Sequence, residues 1–184
     1  MGDDLHLGPM SLDAALLAHE WRSRADVRSG LRSPFMLTEE LQEEWYHKVV
    51  CDRRADSRWW AVSYGRGDTL AVVGLTGIQP ENGLAEISLL VNPEHLLEGI
   101  GGESVHLVLA EAFDRMRLVT VFGECYLCNG DAVRFWEVQV AKHGSQERLF
   151  YIPRRKFWDG RLWDALLFCF TAEGWRATQP KGRP

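Results

Sequence analysis

"LVNPEHLLEGIGGESVHLVLAEAF" (residues 90–113) is the stretch that decides the fold of this 184-residue chain. An apolar run ends at Pro93, passes through Gly99, Gly101 and Gly102, and gives way to apolar residues at helical spacing. Those apolar residues are Val105, Val108, Leu109, Ala112, Phe113 and Met116. Glycines let a ligand approach the backbone, and a helix N-terminus offers unpaired N–H groups. The stretch predicts a strand, a glycine turn and a helix, with the turn as a candidate anion site.

The glycine turn does not match two common phosphate-binding patterns. A dinucleotide fingerprint needs a glycine three residues after Gly101, where Ser104 stands. A Walker loop needs a lysine near its end, and no lysine lies between Pro93 and Met116. Two interpretations stay open: a cradle that holds an anion through backbone amides, or a turn that lets the strand and helix pack tightly.

The rest of the chain predicts one mixed α/β (α+β) domain over residues 1–184, with a frayed tail at 176–184. Three β-prone runs before the glycines are separated by turn signals and predict an antiparallel meander. The predicted strands are 5–10, 58–64, 69–78, 84–91, 118–126, 147–153 and 163–171. The predicted helices are 12–24, 38–54, the segment after Gly102, and 130–139, with Ser11 and Thr38 as N-caps of the first two.

The composition is that of an ordinary globular protein, with 46% hydrophobic and 26% charged residues. No apolar run is long enough to span a membrane and the N-terminus lacks a secretory pattern, so we expect a cytoplasmic protein. The formal net charge of −5 argues against nucleic-acid binding. It either favours cationic or neutral partners or keeps the protein soluble. The one basic cluster is "RRK" at 154–156.

The four cysteines do not predict a metal site. Cys125 and Cys128 form a lone pair, and a structural zinc site needs four ligands at recognisable spacing. Their apolar neighbours favour small buried side chains instead.

Two ordered motifs resemble the GNAT N-acetyltransferase superfamily. The first lies in "VNPEHLLEGIGGESV" and consists of Val91, Pro93, Gly99 and Gly101. The second, "NGDAVRFW", consists of Asn129, Ala132, Phe135 and Trp136. The late segment "GRLWDALLFCFTAEGW" is similar to the ribosomal-protein N-terminal and amino-sugar acetyltransferase branches. The resemblance spans roughly residues 10–175.

The resemblance implies a central, mostly antiparallel twisted sheet flanked by helices, with the strands at 84–91 and 118–126 splayed apart. It also implies acetyl-CoA as cosubstrate, with its pyrophosphate on the glycine turn and its pantetheine arm along the first of these strands. The implied cofactor contacts are Leu90, Val91, Leu97, Glu98, Gly99, Ile100, Gly101, Gly102, Asn129 and Trp136. On this basis Gly101→Val should block cofactor binding by placing a branched side chain in the phosphate path.

Two positions depart from the family pattern. Leu96 stands where the family prefers arginine or glutamine, so one phosphate contact is lost. Trp136 replaces the tyrosine that often protonates the departing thiolate, so another acid or none serves that step.

Glu86 is the first catalytic candidate, because a carboxylate in an otherwise apolar strand is costly unless it is exposed or used. The alternative is an exposed glutamate paired with a cation. Tyr126 shares a strand face with Glu124 and is the nearest substitute acid. The resemblance places the acceptor under the segment that contains Arg28, Arg32, Trp45 and Tyr46, although such aromatic residues are more often core than ligand contacts.

The predicted function is acetyl-CoA-dependent N-acetyl transfer to a primary amine, by direct attack of the amine on the thioester. Small amines, amino sugars and protein N-termini are all open as acceptors, and a homodimer is possible. The alternative is a non-catalytic acyl-CoA-binding or interaction module.

Overall fold

The structure, a computed structural model, describes residues 4–52, 54–65, 67–96, 98–144 and 148–180. Its strands are β1 (Leu5–Pro9), β2 (Arg58–Tyr64), β3 (Ala71–Gln79), β4 (Leu84–Val91), β5 (Thr120–Tyr126), β6 (Leu149–Trp158) and β7 (Arg161–Thr171). They form one sheet in the order β1-β2-β3-β4-β5-β7-β6. Neighbouring strands of this sheet are antiparallel except β4 and β5, which are parallel. The predicted mixed α/β class, the mostly antiparallel sheet and the meander are confirmed.

Helices connect and flank the strands. They are α1 (Leu12–Ser23), α2 (Ala25–Arg28), α3 (Glu39–Trp45), α4 (Ile100–Ala110), α5 (Gly130–Lys142) and α6 (Ala172–Thr178). Two of them, α3 and α4, continue into π-helical turns at Tyr46–Val50 and Glu111–Arg115. Ser11 and Thr38 cap α1 and α3 as predicted, each accepting a hydrogen bond from a first-turn amide at 3.1 and 3.4 Å. Within the described residues, no helix is long and apolar enough to cross a membrane.

The two faces of the sheet pack against different helices, because successive side chains of a strand point to opposite sides. The larger core lies under α4, α5 and α6 and includes Val73, Ile87, Val108, Phe113, Phe168 and Trp175. The smaller core lies under α1 and includes Ala15, Trp21, Ala61 and Val72. In β4, Ala85 and Ile87 enter the larger core. Glu86 therefore faces the opposite side, which α1 covers.

The strands β4 and β5 separate after a short paired segment. Pairing joins Leu84–Glu86 to Thr120–Phe122 and then stops, although both strands continue. Residues 87–91 stay paired with β3, so β5 is the strand that diverges. This confirms the predicted splay, which leaves the β5-facing backbone of residues 87–91 without a partner strand in the described sheet.

Several predicted boundaries need correction, and three of them lie in the last part of the chain. Residues 163–171 lie in β7, which begins earlier, at Arg161, and β6 extends to Trp158 rather than Pro153. The frayed tail at 176–184 is wrong for its first residues, because α6 continues to Thr178 and buries Trp175. Residues 181–184, and Glu147 of the predicted strand 147–153, lie outside the described residues.

Candidate active site

Two glutamates stand on either side of the opening between β4 and β5. Glu86 is the third residue of β4 and is paired across the sheet with Phe122. Glu124 lies two residues further along β5, so its side chain points to the same face as Phe122. The Glu124 side chain is only 6% exposed, whereas that of Glu86 is partly exposed. A buried carboxylate needs a partner, and arginines provide it here.

Arg32 joins these two glutamates. Its guanidinium donates two hydrogen bonds to the carboxylate of Glu86, one of them from Nη1 to Oε2 at 3.2 Å. Nη2 also donates to Oε2 of Glu124 at 3.4 Å. The bonds to Glu86 raise the pKa of Arg32 above its ordinary value. Arg32 remains 63% exposed, so the bridge lies at the mouth of the opening rather than in its floor.

Glu124 has two further partners. Nε of Arg155 donates to its Oε1 at 2.9 Å, and the hydroxyl of Tyr126 donates to its Oε2 at 3.4 Å. Burial raises the pKa of the Tyr126 phenol, an effect that Arg32 opposes and the Glu124 charge reinforces. Tyr126 therefore keeps its proton at neutral pH, which a general acid requires.

A bulge in β6 turns two successive basic residues toward this site. The pairing of β6 with β7 shifts between Ile152 and Lys156, and Arg154 within the shift has a left-handed φ of 55°. Nζ of Lys156 lies 4.7 Å from the centre of the Tyr126 ring, while Arg155 reaches Glu124 on the same face of β5. In a regular strand these neighbours would point to opposite faces, and bulges commonly re-aim side chains beside active sites.

Residues 29–32, which we call the strap, are held down by residues from β5, β6 and the turn after β5. Sγ of Cys128 donates to the carbonyl of Ser29 at 3.4 Å, and Nζ of Lys156 donates to the carbonyl of Leu31. A Cβ built on Gly30 would lie 2.5 Å from Nδ2 of Asn129, so a larger residue at this position would displace the Asn129 side chain. The strap thereby places Arg32 between the two glutamates.

The glycine turn supplies a surface suited to a pyrophosphate. Gly99 is the N-cap of α4 with a left-handed φ of 79°, and a Cβ at this residue would meet nothing within 4 Å. The first amides of α4 follow it and have no helical partner, as at any helix start. Glu98 pairs with Nδ1 of His95 at 2.9 Å. Leu97, one of the predicted contacts, lies outside the described residues.

The other two glycines face side chains of α5. A Cβ on Gly101 would lie 3.2 Å from the Phe135 ring and 3.4 Å from Cγ2 of Val91, and one on Gly102 would lie 3.4 Å from Nε2 of Gln139. A Cβ at Gly101 would press on Phe135, so the effect of Gly101→Val on cofactor binding stays a prediction and would include a change in this packing. The close neighbours of Gly101 support the packing interpretation for that residue, and the anion cradle at Gly99 stays a prediction.

The side chains of Trp136 and Asn129 serve the fold of α5. Trp136 is 8% exposed and stacks on Phe168 with 4.3 Å between ring centres, so the prediction that it lines the cofactor is corrected to a core position. Asn129 caps α5 by accepting a hydrogen bond from the amide of Ala132 at 3.0 Å. Leu90 and Val91, by contrast, lie in the splayed part of β4 where the resemblance places the pantetheine arm.

Of the four predicted acceptor residues, Arg32 is the one that contacts both glutamates. Trp45 meets Trp59 edge to face at 5.2 Å and, like Tyr46, packs on the smaller core. Arg28 ends α2 and its buried Nε has no hydrogen-bond partner among the described residues. Arg155 and Lys156 belong to the site but were not predicted, although the basic run at 154–156 was their signal.

Cys125 is buried, Cys128 contacts the strap, Cys169 is half-buried and Cys51 is exposed. Burial raises the pKa of the Cys125 thiol to about 12, so it is not a reactive thiolate. Among the described residues, no group of three His, Cys, Asp or Glu side chains is arranged to hold a metal ion.

Comparison with known proteins identifies the family. The family model described as "Acetyltransferase (GNAT) domain" matches residues 4–137. No curated protein sequence matches the chain.

Solved structures agree in fold. The spermidine N-acetyltransferase from Vibrio cholerae in complex with CoA and spermine is 18% identical, with a TM-score of 0.80, 94% of this chain covered and 98% of that one. A chimera of the Vibrio cholerae enzyme and hSSAT is 17% identical, with a TM-score of 0.76 and the same coverage. A putative acetyltransferase is 18% identical, with a TM-score of 0.71, 97% of this chain covered and 88% of that one.

These matches confirm the predicted acetyltransferase class and acetyl-CoA as its cosubstrate. The chain belongs to the GNAT acetyltransferase family.

Proposed function

We propose that this enzyme acetylates the primary amine of a small molecule in the opening between β4 and β5. The observation that carries the proposal is the convergence of Glu86, Glu124, Tyr126 and Arg32 on one side of that opening. A base, a protonated phenol and a bridging cation thus stand where the splayed strand would present the thioester. Acetyl-CoA supplies the activated acetyl group.

The cofactor would be held mainly by backbone. Gly99 and the first amides of α4 suit the pyrophosphate, because the turn is open and the helix N-terminus favours an anion. The β5-facing groups of residues 87–91 suit the amides of the pantetheine arm, which would bind as an added strand. This arrangement explains how the site tolerates Leu96 where the family prefers a polar side chain.

Glu86 is proposed to take the proton from the acceptor. A free alkylammonium has a pKa near ~10 and must lose one proton before its nitrogen can attack. Glu86 can receive that proton, directly or through water, when Arg32 releases one of its hydrogen bonds. Arg32 already contacts Glu124 at 3.4 Å, so a second carboxylate is ready to hold it.

Tyr126 is proposed to protonate the leaving sulfur. The acceptor nitrogen forms the amide bond as the carbon–sulfur bond of the thioester breaks, and the sulfur leaves as a thiolate. The phenol gives its proton to the sulfur, and the second proton lost by the nitrogen restores the phenol. Trp136 has no part in this step, because its ring is stacked in the core.

The class of amine that this enzyme acetylates has to be argued separately from the reaction. The fold likeness to a spermidine N-acetyltransferase supports a small amine. The resemblance of the late segment to amino-sugar and ribosomal-protein acetyltransferases stays a prediction from the sequence, and the family model, which matches residues 4–137, does not reach that segment. A protein N-terminus stays the alternative macromolecular acceptor. One domain over residues 1–184, a homodimer and a cytoplasmic location also stay predictions.

Mass-resolved analysis of products formed with acetyl-CoA and an amine panel tests the proposal. We expect an acetylated amine and free CoA in equal amounts, and loss of both with Glu86→Gln. Binding of acetyl-CoA without turnover on any amine would support the non-catalytic acyl-CoA-binding alternative, which the replacement of the usual tyrosine by Trp136 favours.

A further inference from the structure

The charges around the acceptor opening indicate what else the acceptor carries besides its amine. The opening is surrounded by five ionisable side chains that contact one another or the same neighbours, and we call them the acceptor cluster. They are Arg32, Glu86, Glu124, Arg155 and Lys156. Three cations face two carboxylates, so the cluster carries a net positive charge although the whole chain carries −5.

Both carboxylates of the cluster are already neutralised. Arg32 takes the Glu86 carboxylate with two hydrogen bonds, and Arg155 and Arg32 share the two oxygens of Glu124. A second ammonium group of a polyamine would therefore find no unpaired carboxylate in the cluster. It would meet two exposed guanidiniums instead, and like charges brought together oppose binding.

The guanidinium of Arg155 has hydrogen-bond donors that the described residues do not use. Its Nε holds Glu124, but its two terminal amino groups make no hydrogen bond with the described residues. The side chain is 52% exposed, at the same mouth as Arg32. A guanidinium with two free amino groups presents the fork geometry that fits a carboxylate or a phosphate.

A bulge in β6 places Arg155 at the mouth of the site. The bulge at Arg154 turns both Arg155 and Lys156 toward the site, and the amide of Arg154 is fixed by Oδ1 of Asp164 at 3.0 Å. Lys156, 6% exposed, supports the strap from below and leaves Arg155 as the outward-facing cation of the pair.

We propose that the acceptor is a small primary amine that also bears an acidic group, a carboxylate or a phosphate, which Arg155 binds at the mouth of the site. This inference rests on the proposed acetyl transfer and narrows its substrate class. The amine points inward to Glu86 and the acidic group points outward to the terminal amino groups of Arg155. Polyamines are then poor acceptors in spite of the shared fold.

Matched amines test the proposal. The test compares amines that differ in the charge of the tail: pentylamine, 1,5-diaminopentane, 5-aminopentanoate and 4-aminobutyl phosphate. Versions with two to six carbons vary the distance between the amine and the tail group. We expect kcat/KM for the best acid-tailed amine to exceed that of pentylamine up to about fivefold, because a partly exposed charged pair contributes up to about that factor. The kcat/KM of the diamine should be lower than that of pentylamine. Whichever acid-tailed amine has the higher kcat/KM identifies the acidic group that Arg155 binds as a carboxylate or a phosphate.

Variants of Arg155 test whether this residue causes the preference for acid-tailed amines. Arg155→Met should bring the ratio of acid-tailed to neutral amine close to one, and Arg155→Glu should shift the preference to the diamine. Arg176→Met, which removes the same charge from the exposed side of α6, should keep the wild-type ratio. Preference for the diamine or spermidine in the wild type would overturn the proposal, as would an unchanged ratio in Arg155→Met. Turnover of no amine at all would overturn the proposed function together with it.

Discussion

Nζ of Lys156 donates a hydrogen bond to the carbonyl oxygen of Leu31, the residue next to Arg32. This bond ties β6 to the strap and so positions the guanidinium that bridges Glu86 and Glu124. The lysine is buried against the Tyr126 ring, and its burial lowers the pKa of the ammonium. Burying a charge is costly, and this one donates a hydrogen bond to a backbone carbonyl of the strap. We infer that the position of the strap matters to the site.

Lys156→Met should loosen the strap while it leaves the fold intact. Methionine keeps most of the length of the lysine side chain in its buried position, but it leaves the carbonyl of Leu31 without its hydrogen-bond donor. We expect KM for the amine to rise about tenfold and the amides of residues 29–32 to exchange hydrogen faster, with acetyl-CoA affinity unchanged. Hydrogen-exchange mass spectrometry and steady-state kinetics measure these effects. Wild-type exchange and KM in this variant would show that the strap does not depend on Lys156.

Glu86→Gln should lower kcat by about a hundredfold or more, the usual size of a general-base contribution. The amide keeps the shape of the side chain but cannot take a proton from the acceptor. Calorimetric titration should give a wild-type affinity for acetyl-CoA, which separates a catalytic loss from a binding loss. Turnover at the wild-type rate across the whole pH range would remove Glu86 from the mechanism.

The position of Glu86, the proposed base, was predictable from sequence because its signal is local. Glu86 interrupts an apolar strand whose residues alternate between two faces, and Pro93 and Gly99 mark where that strand ends and α4 begins. The bounds of β4 match the prediction at both ends. Such features depend on neighbours a few residues away, which periodicity and turn chemistry can read.

The partners of Glu86 were not predictable in the same way. Arg32 lies 54 residues from Glu86 in sequence, and Arg155 reaches Glu124 only because a bulge at Arg154 turns it. The helix α6 was missed for a similar reason, since it depends on the burial of Trp175 rather than on a strong local pattern. Contacts between residues that are far apart in sequence leave no local pattern, so they can be identified only in the folded structure.

Tyr126→Phe tests the proposed acid. The ring keeps its place under Lys156, so the packing is preserved and the hydroxyl alone is lost. We expect kcat with acetyl-CoA to fall about tenfold or more. The loss should be much smaller with an acetyl thioester of an aryl thiol, because that thiolate leaves without needing a proton. An equal loss with both donors would assign Tyr126 to packing.

Gly99→Asp and Gly99→Asn form a matched pair for the pyrophosphate cradle. Both side chains enter the open space at Gly99, and both residue types tolerate its left-handed φ of 79° better than others. The pair differs in one negative charge. We expect Gly99→Asp to bind acetyl-CoA about tenfold more weakly than Gly99→Asn at low salt, with a gap that narrows as salt is added. Equal affinities would move the pyrophosphate away from Gly99.

His143 should make the stability of the protein depend on pH. It is buried against Trp175 and Phe170, and burial, with smaller contributions from Lys142 and His106, lowers its pKa to about 4. The unfolded chain has a histidine pKa of about 6.5 and so binds more protons than the folded chain between these two values.

The contribution of His143 is therefore present above about pH 6.5 and is lost as the pH falls toward 4. Its part of the loss is about 2 kcal/mol of unfolding free energy between pH 7 and pH 5. Urea titrations at both pH values measure the difference, and His143→Phe should remove most of it. His47→Gln, at an exposed position, should leave it unchanged. If His143→Phe keeps the full pH dependence, the loss comes from other groups, because a phenylalanine at this position cannot bind a proton in either state.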